Sequence, residues 1–195
     1  YGEHFAIEDG GFILGSDLDG LVRSTGLSAA NLSACVSGDA TRSELRHCVT
    51  ALLDASMRSA GAHDVDVLID CVLGIDEARL LPGLHRAPIA TLRAYDRENT
   101  HLLRPPAESY TPYAEVLRLL ALVPEDGTLL DCGAGNGRVH VVAACRRPDV
   151  SVYGFEVVSE RCVLARQALA RLGEARGAVL LQTLGRKRQR PLPPA

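Results

Sequence analysis

The chain has 195 residues, of which 47% are hydrophobic and 23% are charged, so it holds enough apolar material to bury a core. Its formal net charge of -3 at pH 7 gives no reason to expect a nucleic-acid partner, because binding to phosphates needs a basic surface. No apolar run approaches the roughly 20 residues that span a bilayer, and the first residues lack the pattern of a signal peptide, so we expect a cytoplasmic protein without membrane contact.

The cysteines and histidines give no metal-ligand pattern. The six cysteines include no CxxC pair, and most lie inside apolar runs, where a thiol behaves as a small core side chain. We therefore expect reduced, structural cysteines. The six histidines are also scattered without ligand spacing, so the sequence predicts no metal site.

Residues 1–84 predict a mainly helical N-terminal subdomain. Residues 1–26 mix glycine and aspartate with one short apolar run, Phe12 to Leu14, which indicates loops around at most one strand. Residues 39–61 place apolar side chains at helical spacing behind a capping-type residue, which indicates an amphipathic helix. The apolar stretch from Val65 to Leu73 favours a second helix that packs on the first.

The segment FILGSDLDGLV has an alternative interpretation. It resembles the D-x-D-x-[TV] nucleophile loop of haloacid-dehalogenase-like phosphatases, which would give Asp17 and Asp19 roles in phosphoryl transfer beside a bound magnesium ion. Leu21 stands where that loop requires threonine or valine, and no later lysine and acidic motif follows at the right spacing. We therefore prefer an Asp/Gly turn after a short strand.

The rest of the chain predicts a linker, a half domain and a tail. Residues 85–108 are polar and interrupted by prolines, as expected of a linker or lid laid over a surface. Residues 109–185 alternate helical and strand patterns, and residues 186–195 form a basic, proline-rich tail. The preferred interpretation of the tail is a solvated end, and the alternative is a nuclear-import or nucleic-acid patch.

The half domain is predicted to begin with a helix and to continue as a β-α-β unit. Thr111 and Pro112 suit the N-cap and first turn of a helix that ends before Pro124. The apolar residues of this helix are Val116, Leu117, Leu119, Leu120 and Leu122. We then expect a strand at Thr128–Asp131, a glycine turn, a helix at Val139–Cys145, a strand at Ser151–Phe155, a helix at Ser159–Leu172 and a strand at Ala178–Leu184. This order predicts an α/β fold with a parallel sheet.

The stretch LLDCGAGNGR contains the residues with a chemical role. Asp131 closes the first strand, and the turn that follows is formed by Gly133, Ala134, Gly135, Asn136 and Gly137. Glycine allows unusual backbone dihedrals and the close approach of a ligand. Glu156 closes the second strand, 23 residues after Gly133. A carboxylate at that position can accept hydrogen bonds from both ribose hydroxyls of a nucleoside.

The spacing separates two classes of nucleotide site. A nicotinamide fingerprint, G-x-G-x-x-G, is disfavoured because Arg138 stands where it requires the third glycine. The pattern D-x-G-x-G-x-G instead resembles the first motif of class I (seven-strand) S-adenosylmethionine-dependent methyltransferases, and Glu156 matches the acid of their second motif. The resemblance implies a Rossmann-like sheet with S-adenosyl-L-methionine as cofactor. It also implies that Asp131 helps to hold the methionine amino group, that Glu156 binds the ribose and that the glycine turn passes under the cofactor.

A narrower resemblance concerns the segments YTPYAEVLRLL, LLDCGAGNGRVHVVAA and YGFEVVSERCVLAR. They resemble protein lysine methyltransferases of the seven-strand type, which implies a protein lysine as methyl acceptor. It also implies that Glu108, Tyr110, Thr111 and Tyr113 fold over the bound cofactor as a lid. For Tyr110 and Tyr113, a pair of half-buried aromatics that cover the helix start is an equal alternative.

The resemblance covers about residues 108–184, so we expect only the N-terminal part of the seven-strand sheet, preceded by the small helical subdomain. The strand that usually supplies acceptor-binding residues in this family follows that part, so the catalytic residues stay unassigned. The alternatives are a small-molecule or RNA acceptor, and a non-catalytic cofactor-binding or structural fragment. The open edge of such a half sheet favours association with another chain.

Overall fold

The computed structural model describes residues 5–8, 11–14, 20, 22–23, 25–58, 63–76, 110–156, 158–173 and 182–183. The strands in these ranges are β1 (Phe5–Glu8), β2 (Gly11–Leu14), β3 (Thr128–Cys132), β4 (Ser151–Glu156) and β5 (Gln182–Thr183). The helices are α1 (Ala29–Ser37), α2 (Arg42–Arg58), α3 (His63–Leu73), α4 (Tyr113–Ala121), α5 (Arg138–Arg146) and α6 (Ser159–Leu172). The predicted linker at 85–108, the tail at 186–195, Glu108, and the phosphatase-like Asp17, Asp19 and Leu21 lie outside the described residues.

Three parallel strands form the sheet that carries the candidate site, in the order β3-β4-β5. Asp131 on β3 lies opposite Gly154 on β4, and Glu156 on β4 lies opposite Thr183 on β5. α5 follows β3 and α6 follows β4, as the sequence predicts. The described residues therefore combine helices with a parallel sheet, in agreement with the predicted α/β class. Because parallel strands end at the same edge of a sheet, Asp131 and Glu156 lie at one edge.

The N-terminal strands correct one prediction. Residues 1–26 were expected to contain at most one strand, but β1 and β2 pair antiparallel, with Phe5 opposite Leu14 and Glu8 opposite Gly11. The register leaves two residues between the strands, and the sequence there is Asp9-Gly10. That dipeptide is the strongest short-range signal for a hairpin. The prediction of at most one strand was therefore wrong, because a glycine and an aspartate here separate two paired strands.

Local signals explain the ends of α2 and α3. Before α2, the Glu44 carboxylate accepts a hydrogen bond from the Thr41 amide at 2.7 Å, and the Thr41 hydroxyl accepts one from the Glu44 amide at 3.3 Å. This reciprocal pair is a capping box. After α3, Gly74 has a left-handed φ of +70°, and the Ile75 amide donates to the Asp70 carbonyl at 2.9 Å. A glycine at this position lets the chain turn back on the helix end.

The start of α4 differs from the prediction. The N-cap is Pro112 rather than Thr111, and no side chain adjacent in sequence caps the helix. Instead the Asp66 carboxylate, on α3, accepts a hydrogen bond from the Tyr113 amide at 3.1 Å. Two of the five apolar residues predicted for this helix, Leu119 and Leu122, are exposed, because the buried stripe of the helix is Tyr113, Val116 and Leu120.

A hydrophobic core joins the N-terminal helices to the α/β part. It includes buried side chains from α1 to α6 and from β4. Arg46 on α2 adds polar contacts, because its guanidinium donates to the Ala144 carbonyl on α5 at 2.6 Å and to the Leu172 carbonyl on α6 at 3.0 Å. The last carbonyls of a helix have no donor within the helix, and a cationic side chain that donates to them stabilises the helix end. Among the helices of the described ranges, none is long and apolar enough to cross a membrane.

The two faces of the sheet have different surroundings. Val152 and Gly154 on β4 are buried on the side that faces the core. On the other side Leu130 and Tyr153, which are register partners, are 57% and 40% exposed. Parallel sheets in known folds are covered on both faces. This face is therefore an apolar surface that the folded chain leaves partly open to solvent.

Candidate functional site

The glycine turn is bound to the end of the neighbouring strand. The amides of Gly133 and Ala134 both donate to the Phe155 carbonyl, at 2.8 and 2.9 Å. The next amide, that of Gly135, donates to Glu156 Oε2 at 2.7 Å. The turn after β3 therefore depends on the end of β4, and the two motifs that the sequence analysis combined are in direct contact.

Glu156 is almost fully enclosed by the protein. Its second oxygen, Oε1, accepts a hydrogen bond from the Val158 amide at 2.8 Å, and the residue is only 4% exposed. Each carboxylate oxygen has two lone pairs, so each can still accept one further hydrogen bond. In this conformation Glu156 holds the glycine turn and the start of α6 together.

The three glycines of the turn are required for different reasons. All three have positive φ, at +105° for Gly133, +55° for Gly135 and +90° for Gly137. A Cβ added at Gly137 would lie 2.6 Å from the Cβ of Ala165, so this glycine lets α5 approach α6. A Cβ at Gly135 would lie 2.6 Å from the Tyr110 ring. A Cβ at Gly133 would meet nothing within 4 Å, so open space adjoins the backbone there.

Asp131 lies near the end of β3, two residues before Gly133. Its side chain is 18% exposed, but Oδ2 is buried and has no hydrogen-bond partner among the described residues. Burial raises the pKa of the Asp131 carboxyl, and the negative charge of Glu156 raises it further. A buried acceptor without a donor is costly, so this oxygen is a point at which a donor is expected to bind.

His140 is a site residue that the sequence analysis did not identify. Its ring is buried against Gly154, where an added Cβ would lie 2.6 Å from Nε2, and its Nδ1 lies 3.9 Å from Asp131 Oδ2. Burial lowers the pKa of His140 to about 4, so the ring is neutral at pH 7. Neither ring nitrogen has a hydrogen-bond partner in the described part of the chain. A glycine inside a strand signals close approach, and Gly154 was the available clue.

Arg138 is a second residue of the site whose role the sequence pattern does not indicate. Its guanidinium donates to both Asp70 carboxylate oxygens, at 3.2 and 2.5 Å, and to the Thr111 carbonyl at 3.2 Å. It also lies 4.7 Å from the ring centroid of Tyr113 and 5.2 Å from that of Tyr110. Arg138 therefore joins α3, the segment before α4 and the glycine turn.

The predicted lid residues occupy different positions. Tyr110 covers Gly135, and its ring centroid also lies 5.6 Å from the Arg161 guanidinium. Thr111 is exposed, and its carbonyl accepts from Arg138. Tyr113 is fully buried, and its hydroxyl donates to Asp70 at 2.8 Å. Tyr110 is thus the described lid candidate that contacts the turn, whereas Tyr113 belongs to the core.

Asn136 connects the turn to the N-terminal helices. Its side-chain amide donates to the Ile75 carbonyl at 3.1 Å, while its buried Oδ1 has no partner among the residues described. Together with Asp131 Oδ2 and the His140 ring, this gives three polar groups around the turn that lack hydrogen bonds. Native proteins contain few such groups, so each calls for a bound water or ligand.

No group of three histidine, cysteine, aspartate or glutamate side chains in the described ranges could hold a metal ion. Comparison of the chain with protein-family models, curated proteins and solved structures gives no significant match. The site is therefore interpreted from its own geometry.

Proposed function

We propose that the α/β part of this chain binds S-adenosyl-L-methionine as the cofactor half of a methyltransferase. The observation that carries this proposal is the hydrogen bond from the Gly135 amide to Glu156 Oε2, which joins the glycine turn to the acid of the next parallel strand. Ligands of open α/β sheets bind outside the carboxyl ends of the strands. Asp131, Gly133 and Glu156 all lie at that edge of the sheet.

The residues present fit such a cofactor at the Asp131 end. Asp131 offers a partly exposed carboxylate for an ammonium group, and the space beside Gly133 is free of other atoms within 4 Å of an added Cβ. At the Glu156 end, the ribose hydroxyls would use the remaining lone pairs of a carboxylate that is 4% exposed. Access to Glu156 therefore requires a rearrangement close to Gly135, and Tyr110 is the side chain that covers this glycine.

The chemistry that this cofactor supplies is an activated methyl group on a sulfonium. The residues of this chain would bind and orient it, with Asp131 on the amino group and Glu156 on the ribose. Such positioning, with exclusion of water, is the main contribution that a protein makes to this type of transfer. The resemblance of the segment around Tyr110 to lysine methyltransferases makes a protein lysine our proposed acceptor.

The binding step is tested by titrating the protein with S-adenosylhomocysteine in a calorimeter. We expect binding by the wild type and at least tenfold weaker binding by Asp131→Asn, because an amide loses the charge that attracts an ammonium group. Glu115→Gln is the matched control, since it also removes one carboxylate but lies in an exposed ion pair on α4. Absence of binding by a folded wild type, as judged by circular dichroism, would contradict the proposal.

The acceptor is tested separately with the methyl-labelled cofactor and a cell lysate. We expect the label in protein, and after hydrolysis in methylated lysine. Label confined to RNA or small molecules would contradict the protein acceptor but not cofactor binding. Binding without any transfer would favour a non-catalytic cofactor-binding fragment, an alternative that the exposed face at Leu130 and Tyr153 also favours.

A further inference from the structure

Below the glycine turn, two buried polar side chains face each other without completing a hydrogen bond. His140 Nδ1 lies 3.9 Å from Asp131 Oδ2, which is roughly 1 Å longer than a normal hydrogen bond. Both atoms are buried, and neither has another partner in the described ranges. The side chain of His140 has no exposed surface, so solvent does not reach it.

We propose that His140 is a positioning residue for Asp131: it donates its Nδ1 proton to the inner carboxylate oxygen when a ligand ammonium group binds to the outer part of the same carboxylate. The inference rests on the proposed function, because it assumes that Asp131 binds the amino group of the cofactor. His140 does not itself touch the ligand.

The strand register explains why this histidine is held in place. Asp131 and Gly154 are opposite each other on β3 and β4, and the His140 ring packs on Gly154. Its Nε2 lies 2.6 Å from the place that a Cβ on Gly154 would take, while Nδ1 lies 3.9 Å from Asp131 Oδ2. A side chain on Gly154 would occupy the place of the ring. The missing Cβ on β4 therefore allows the histidine to lie within reach of the acid on β3.

Electrostatics select the tautomer. A neutral imidazole carries one proton, and the hydrogen bond available to the ring decides which nitrogen holds it. With the proton on Nε2, the Nδ1 lone pair would face the Asp131 oxygen and repel it. With the proton on Nδ1, a donor faces an acceptor, and Nε2 lies against the backbone of Gly154. We therefore expect the Nδ1–H tautomer.

Charged groups on the surrounding elements determine how the pair titrates. Burial raises the pKa of Asp131, the charge of Glu156 at the end of β4 raises it further, and burial keeps His140 neutral. On α5 itself Arg138 is paired with Asp70 of α3 and lies 3.5 Å from Asp66. The buried charged residue of α6 is Arg161. A proton donor at Nδ1 would lower the pKa of Asp131 against the effect of Glu156.

The first test is the protonation of the His140 ring in the protein without ligand. A long-range nitrogen–proton correlation spectrum at pH 7 distinguishes the two tautomers, and the signal is assigned by its loss in His140→Asn. We expect protonated Nδ1 and unprotonated Nε2. The opposite tautomer would overturn the proposal, whether or not the protein binds S-adenosylhomocysteine.

The second test is the pH profile of S-adenosylhomocysteine binding between pH 5 and 8. The amide nitrogen of asparagine can occupy the place of Nδ1, whereas that of glutamine lies near the place of Nε2. We expect His140→Asn to retain the wild-type profile. We expect His140→Gln and His140→Leu to bind about tenfold more weakly at pH 6 and to lose affinity about one pH unit higher, because Asp131 then lacks its donor.

The outcomes separate this inference from the proposed function. Equal profiles for the asparagine and glutamine variants would overturn the positioning role, since a purely structural histidine would not distinguish the two amide positions. A wild type that is folded but does not bind would contradict the proposed function, while the tautomer would still decide whether His140 donates to Asp131.

Discussion

Asp70 and Arg138 form a bidentate ion pair inside the protein, in which each carboxylate oxygen accepts one hydrogen bond from the guanidinium. Burial raises the pKa of Asp70 to about 6 and the charge of Arg138 opposes that rise, so the carboxyl is ionised at pH 7. The pair connects α3 to the first residue of α5. The N-terminal helices therefore help to hold the helix that follows the glycine turn.

Removing the carboxylate from this pair should be strongly destabilising. We expect Asp70→Ala to lower the free energy of unfolding by about 3 kcal/mol, because Arg138 stays buried with Asp66 as its remaining acid at 3.5 Å. Urea denaturation followed by circular dichroism measures the change. In Glu115→Ala, which breaks an ion pair whose side chains are 58% and 55% exposed, the loss should stay below about 0.5 kcal/mol. Similar losses in both variants would show that Asp70 and Arg138 are not coupled as described.

The glycines of the turn should differ in their tolerance of a methyl group. We expect Gly137→Ala to be the more damaging change, by about 2 kcal/mol or more beyond backbone strain, because its Cβ would lie 2.6 Å from Ala165. Gly133→Ala should cost only the strain of a positive φ, about 1–2 kcal/mol. The free energy of unfolding in urea gives both values, and the reverse order would argue against the packing of α5 on α6.

His140 should make the stability depend on pH. The pKa of His140 is about 4 in the folded chain against its ordinary value of 6.5, so between these values the unfolded chain binds a proton that the folded chain does not. Stability should therefore fall on acidification from pH 6.5 to 4, by up to about 3 kcal/mol.

The comparison with His140→Leu isolates this effect. The raised pKa of Asp70 acts in the opposite direction. Between its ordinary pKa of 3.8 and about 6, the folded chain binds a proton at Asp70 that the unfolded chain does not, so this proton uptake favours folding at low pH and is lost as the pH rises through about 6. Since Asp70 is present in both proteins, its effect cancels, and the difference between the two stability curves reports His140 together with the change that its loss causes in the pKa of Asp131. A difference that does not change between pH 7 and pH 4 would mean that His140 is not buried as a neutral ring.

The exposed face of the sheet should promote self-association. Leu130 and Tyr153 lie side by side on β3 and β4, and contiguous apolar surface of this kind favours association. We expect sedimentation velocity to detect a mass that rises with protein concentration, and the double variant Leu130→Thr with Tyr153→Thr to reduce this rise. Because both side chains are exposed, the unfolding free energy should change by less than about 1 kcal/mol. A wild type that stays monomeric at all concentrations would contradict this prediction.

The parts of the fold that sequence predicts well are those specified by neighbouring residues. α6 has the predicted bounds, Ser159–Leu172, because its apolar spacing ends at Gly173, which adopts a left-handed φ of +76°. β4 and α5 likewise follow the predicted order around the glycine turn. The contact of Glu156 with Gly135 could also be predicted from the sequence, because the ends of neighbouring strands in a parallel sheet lie together.

The parts that sequence did not predict depend on distant residues. The N-cap of α4 was assigned to Thr111, but the Tyr113 amide is satisfied by Asp66, which is 47 positions away in the chain. Arg138 likewise pairs with Asp70, which is 68 positions away in the chain. No local pattern encodes such partners. Burial of His140 beside Asp131 was hidden for the same reason, since it depends on the absence of a side chain at Gly154.

The two hydrogen bonds of Arg46 have a consequence for the order in which the protein matures. Its acceptors, the carbonyls of Ala144 and Leu172, are 98 and 126 positions further along the chain. On the ribosome, α2 therefore emerges long before the groups that it stabilises have been synthesised. Contacts of such long sequence separation form late in folding. The N-terminal helices must stay soluble as a nascent chain until α6 has been made, so a translational pause before Leu172 should increase their capture by chaperones.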